Sequence, residues 1–221
     1  MIFSFGLFIF LSNLFTIYIG KVMAVFSKEM LARHISRILN PMVVLTFVIV
    51  LVAVEEPGAD IHVAILASIL FTFSVLIPIL LVLYMRWKGQ INHLFIAERH
   101  RRLRALFFVT GSFWLGCGIL NILSAPLGLR VLMGCVAVLG GLALFVTWQW
   151  KISLHAVGIW ACYAIIMSIY GANAWFAIVP ACAVSWARLA LRAHSLAQVL
   201  GGSVMGVVVP VLFFYLMGAG V

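Results

Sequence analysis

The chain has 221 residues, of which 66% are hydrophobic and 9% charged, with a formal net charge of +9 and a mean hydropathy of +1.26. A soluble globule averages about half apolar and about a quarter charged, so these charges are too few to cover a water-facing surface. A sizeable soluble domain is excluded; lipid is the natural solvent, and at about 20 residues per crossing the chain predicts a polytopic all-α bundle of about seven to eight spans.

In chain order, residues 2–20 form the first apolar run. It lacks a basic start and an A-x-A cleavage site, and Lys21 follows it, so it is expected to stay as an anchor helix. Lys28 to Asn40 carries Lys28, Arg33 and Arg37 among Met30, Leu31, Ile35 and Ile38. This pattern predicts an amphipathic helix lying in the membrane interface. Residues 1–40 therefore form an anchor with an interfacial segment, and residues 41–221 the transmembrane bundle. Its expected spans are 40–54, 62–85, 104–123, 127–148, 154–170, 174–191 and 195–218. Between them lie the acidic turn Glu55-Glu56-Pro57-Gly58-Ala59-Asp60, a long basic loop from Arg86 to Arg104, and tight turns at Ser124-Ala125-Pro126 and Gly171-Ala172-Asn173. Gly202 and Gly206 make a small-xxx-small pair in the last span; it is either a close-packing face or a coincidence among 18 glycines. Cys117, Cys135, Cys162 and Cys182 all sit in apolar runs with no CxxC pair, as buried small residues do.

Alternation assigns each loop to a side. One side collects Lys21, Lys28, Arg33, Arg37, Arg86, Lys88, Arg99, Arg101, Arg102, Arg104, Lys151, Arg188 and Arg192; the other has Arg130 alone. Positive residues favour the cytoplasm, so the rich side is expected there. Setting aside Arg99, Arg102, Lys151 and Arg188 as candidate ligand-binding groups leaves the bias intact. The expected location is the bacterial inner membrane.

Ionisable groups near helix ends are costly in so apolar a chain. Three clusters stand out: Glu98-Arg99-His100-Arg101-Arg102-Leu103-Arg104, Lys151-Ile152-Ser153-Leu154-His155, and Arg188-x5-His194-x3-Gln198. Each alone has a plain reading as topology signal, headgroup contact or helix start. Two spans separate each cluster from the next, so all three return to one side. Histidines, cations and helix N-termini on one face make an anion site with acid–base capability. Phosphoryl transfer from a lipid needs that combination: cations to neutralise the oxygens, a nucleophile, and a proton donor. The only acids are Glu29, Glu55, Glu56, Asp60 and Glu98. They form no carboxylate cluster for Mg²⁺, so no metal and no cofactor are expected.

The second and third clusters resemble motifs of the type 2 phosphatidic acid phosphatase superfamily, whose pattern is K-x6-R-P, P-S-G-H and S-R-x5-H-x3-D. Here Arg188 and His194 keep the third spacing, Ser153 and His155 match the second, and Arg99-x-x-Arg102-x-x-Ala105 resembles a divergent first motif. The likeness covers roughly residues 90–210. It implies a phosphatase-like helical core in which His194 is the nucleophile and forms a phosphohistidine. It further implies that His155 protonates the leaving alkoxide, and that Arg188, Arg99 and Arg102 grip the phosphate with Lys151 and Ser153 as helpers. Gln198 stands where the family has aspartate, Leu154 where it has glycine and Ala105 where it has proline; the lysine of the first motif is missing. Gln198 can orient the nucleophilic ring but supplies no charge.

The expected function is hydrolysis of a membrane lipid phosphate, with the bilayer and that lipid as partners and no nucleic acid. The alternative is a catalytically decayed, lipid-binding subunit of a larger membrane complex, favoured by the same departures and by the extra N-terminal span. Histidine ligation of a haem or chlorin fits poorly, because both candidates sit among cations at helix ends. A transporter lacks the mid-membrane acid or broken helix pair of ion-coupled sites.

Overall fold

The computed structural model describes residues 27–89 and 99–218, with side chains withheld at 99–101. The expected anchor at 2–20 and the side chain of Arg99 lie outside the described residues. Every described element is helical. Nine α-helices follow one another among the described residues: α1 (27–38), α2 (Pro41–Glu55), α3 (Ile61–Phe71), α4 (Ile77–Trp87), α5 (Arg99–Ile122), α6 (Leu127–Gln149), α7 (Leu154–Tyr170), α8 (Ile178–Ala190) and α9 (Leu196–Leu216). Six stretches are long and apolar enough to cross a membrane, and the chain is an integral membrane protein.

Local chemistry places the breaks. Asn40 ends α1 and caps α2, its Oδ1 accepting from the Met42 N–H at 2.9 Å, and Pro41 opens the helix where no N–H is needed. Asp60 caps α3 through the Val63 N–H. A wider π-type turn over Thr72–Leu76 joins α3 to α4. Pro78 has no N–H for the carbonyl four residues back, and the wider turn absorbs that loss.

The core is apolar on nearly every side of each helix, as expected of a bundle in lipid. Leu66, Leu70, Leu120, Leu129, Leu132, Met133 and Ile165 are among its fully buried large side chains. They come from α3, α5, α6 and α7, with α6 the most enclosed helix. Phe107, Phe108, Trp114, Leu115, Phe145 and Trp148 face outward.

The expected turn at 171–173 is longer than a simple turn. A 3-10 segment, Gly171–Ala177, leads into α8, and Gly171 takes φ +58°, which a β-carbon disfavours. The continuous helical stretch Leu154–Ala190 is therefore a hairpin. Trp160 Nε1 donates to Ser185 Oγ at 2.9 Å, and Ile159 packs with Ala181 and Val184. The start of α7 thus lies beside the end of α8.

The most extensive helix pairing joins α7 to α9. Gly202 and Gly206 make it possible. A β-carbon at Gly202 would stand 2.8 Å from the Ser153 carbonyl oxygen, and one at Gly206 2.5 Å from that of Val157. Both are backbone atoms that cannot swing away. The small-xxx-small pair is a close-packing face, and its partner is the first half of α7.

Candidate functional site

The polar clusters sit at the end of the bundle where α5, α7 and α9 begin and α6 and α8 finish. The chain leaves α6 in an extended stretch through Trp150. Ser153 then caps α7, its Oγ accepting from the Ala156 N–H at 3.4 Å. This hydroxyl is fully buried and keeps its hydrogen to donate. His155 follows in the first turn of α7, at the positive end of that helix.

After α8 the backbone reverses within five residues. Arg192 takes φ +49°, and the Ala193 N–H donates to the Arg188 carbonyl at 3.1 Å. Ser195 then caps α9 in a reciprocal box: its Oγ accepts from the Gln198 N–H, and Gln198 Oε1 accepts from the Ser195 N–H at 3.2 Å. The Ser153 N–H also donates to the Gln198 carbonyl at 3.2 Å, so the two histidine-bearing segments are tied backbone to backbone.

Gln198 Oε1 has a second contact, 3.1 Å from His194 Nδ1. The tautomer follows from donor counting. The Ser195 N–H can only donate, so the side-chain atom of Gln198 that meets it must be the oxygen. An amide oxygen only accepts, so His194 Nδ1 must carry the hydrogen. The lone pair of neutral His194 is then on Nε2, away from Gln198. Burial holds the His194 imidazole well below the usual histidine range, at about 4; the Gln198 contact opposes this shift, while the charges of Arg188, Arg102 and Lys151 add to it. At neutral pH the ring is therefore uncharged, with Nε2 available as a nucleophile.

Arg102 enters from the first turn of α5, 7% exposed, and its Nη2 donates to the Ile152 carbonyl. Its Nε has no hydrogen-bond partner among the described residues. Arg188, in the last turn of α8 and 5% exposed, donates through Nη1 to Ser36 Oγ at 3.1 Å. His155 lies within electrostatic reach of Arg188, His194 and Arg102, and His194 within reach of Arg188, Arg102 and Lys151. Lys151 is exposed at the rim. Arg102, Lys151, Ser153, His155, Arg188, His194 and Gln198 are thus brought together at one end.

The described acids are placed elsewhere. Glu29 pairs with Arg33 at 3.2 Å on α1. Glu55 accepts from the Tyr170 hydroxyl at 2.9 Å, Asp60 caps α3, and Glu56 lies against Gly128 at the start of α6. The last three belong to the far end of the bundle. Among the described residues no three His, Cys, Asp or Glu side chains gather as metal ligands. Ala105 is buried against Met85, and Leu154 packs on the core cluster.

Two site groups escape a motif reading. The Ile152 carbonyl has no side-chain signature. Ser36 is a hydroxyl on the inward face of α1, 1% exposed beside fully buried Ala32; a polar residue in register with Ala32, Ile35 and Leu39 is the only trace it leaves in the sequence. An apolar cleft of about 330 Å³, lined by Leu103, Gly141, Leu144, Phe145 and Trp148, runs between α5 and α6 from the residue after Arg102. No protein-family model, curated protein or solved structure matches the chain.

Proposed function

We propose that this chain is an integral membrane phosphatase of a lipid phosphate, with a core like that of the type 2 phosphatidic acid phosphatases and about seven to eight spans. The observation that carries the reading is the convergence of His194, held as its Nδ1–H tautomer by Gln198, with His155 and the buried Arg102 and Arg188.

In this reading Arg102, Arg188 and the rim Lys151 neutralise the phosphoryl oxygens. His194 Nε2 attacks phosphorus, the P–O bond to the lipid breaks, and His155, which takes up a proton as the anionic phosphate binds beside it, gives that proton to the departing oxygen. The phosphoryl group is then on His194, whose Nδ1–H stays on Gln198 Oε1. Water, losing a proton to His155, attacks phosphorus in turn and releases inorganic phosphate. The ring is neutral again and His155 is reprotonated. The protein's own cations do the work of charge neutralisation, and Gln198 orients the imidazolium through an amide dipole rather than a full charge. The apolar cleft beside the α5 start offers the lipid chain a path out of the site. The excess of positive loops on this side favours a cytoplasmic face, and a bacterial inner membrane is the setting this reading takes.

The test is phosphate release by the purified protein from phosphatidate, phosphatidylglycerophosphate and a polyprenyl diphosphate. Substituting His194→Ala is expected to lower turnover by at least about a thousandfold, as loss of a covalent nucleophile does. No release from any of the three, or unchanged release by the variant, sinks the reading. Absence of turnover together with stoichiometric partners after mild extraction from native membranes favours the decayed, lipid-binding subunit instead.

A further inference from the structure

The amphipathic helix α1 is joined to the site by a hydrogen bond across 152 positions of sequence, Arg188 Nη1 to Ser36 Oγ at 3.1 Å. Both partners are buried, Ser36 at 1% and Arg188 at 5% exposure. The rest of the inward face of α1 is apolar. Ala32 is fully buried, and Ile35 and Leu39 pack on Ile159, Ala181 and Val184 of the α7–α8 hairpin. Arg33, Arg37, Met30, Leu31 and Ile38 occupy its exposed face. A buried hydroxyl in such a face is costly unless it is used.

We infer that Ser36 is a positioning residue for Arg188, so that α1 forms one wall of the anion site. The inference rests on Arg188 being a phosphate ligand. Its chemical logic lies in the neutrality of the acceptor. An arginine at the end of a helix has several rotatable bonds, and its planar fork binds phosphate well only when its plane is fixed. A carboxylate would fix it but would also satisfy its charge and compete with the phosphate. A hydroxyl fixes one N–H without placing a negative charge of its own beside the guanidinium to compete with an incoming anion. The packing of Ile35 and Leu39 sets the height of Ser36 along α8, so the acceptor is already in place when the Arg188 side chain docks on it.

The experiment compares wild type with Ser36→Thr, Ser36→Ala, Ser36→Asp and Arg188→Ala in detergent. Two readouts are taken: the rise in unfolding temperature caused by added inorganic phosphate, and kcat and KM for phosphatidate. Ser36→Thr, which keeps the hydroxyl, is expected to stay within about twofold of wild type. Ser36→Ala is expected to need about tenfold more phosphate for the same rise and to lose about tenfold in kcat/KM, the usual size of a hydrogen bond to a charged group. Ser36→Asp is expected to fold, with its carboxylate on Arg188, yet to lose the phosphate response as completely as Arg188→Ala. If Ser36→Ala keeps wild-type phosphate response and kcat/KM while Arg188→Ala loses both, the positioning role is overturned. Retention of the phosphate response by Ser36→Asp overturns it as well. If Arg188→Ala itself behaves like wild type, the phosphate-site reading fails, and the role of Ser36 falls with it.

Discussion

At Gln198 one amide oxygen has two jobs. It accepts the Ser195 N–H that starts α9 and the Nδ1–H of His194. Helix capping and ring orientation are therefore coupled in a single side chain. Replacing Gln198 with Ala is expected to lower kcat by about 10- to 100-fold, with a smaller change in KM, because the ring loses its tautomer lock while the cations stay; steady-state kinetics on phosphatidate checks this. The sign of the pH response follows from the low value of His194, about 4. The imidazolium has no lone pair, so turnover should fall as pH drops through about 4, as the acidic limb of kcat/KM. Lys151→Met removes one of the charges that push His194 down, and should move that limb upward. Gln198→Asp should move it upward further, since a carboxylate beside the ring favours the charged form. The same group gives a stability dependence. Its folded value lies below the unfolded value near 6.5, so its contribution is complete above about 6.5 and is lost as pH falls toward 4. Thermal unfolding across that window should show the decline, and Lys151→Met should shrink it.

At the scale of elements, the site depends on how closely α9 can approach α7. Gly202 and Gly206 set that distance, and the obstructions to any larger residue are the Ser153 and Val157 carbonyls. Gly206→Leu is expected to force the helices apart at a cost of about 1–3 kcal/mol or more. Because Ser153 and His155 ride on the displaced half of α7, turnover should fall by more than about tenfold even where circular dichroism shows helix content unchanged. An active, equally stable Gly206→Leu protein contradicts this account of the pairing. The sequence contained this pair, yet its spacing says nothing about which helix it faces. The hairpin of α7 and α8 was legible from the Gly171-Ala172-Asn173 break, although the 3-10 segment that completes it was not. The caps were not singled out in the sequence, although Asn40, Asp60, Ser153 and Ser195 each stand where a helix opens.

At the scale of the molecule, the common end of the three clusters followed from parity alone, because two crossings return the chain to its starting face. Lateral proximity did not follow. It needed the tie between Ser153 and Gln198, the close α7–α9 pairing and the fold-back of α8, none of which has a local signature. Ser36 was hidden for a related reason: its role is made by a contact 152 residues away, while its own surroundings read as an interfacial helix. Ala105 and Leu154 are packing residues, whereas Gln198 holds the His194 ring through Nδ1.

The Ser153 amide lies just ahead of α7, outside that helix's own ladder, and its acceptor belongs to α9. Its protection from deuterium exchange therefore reports docking between two helices rather than the integrity of either one. Followed by mass spectrometry, that single N–H is a native gauge of whether the two histidine-bearing segments are closed on each other, readable before any ligand is added.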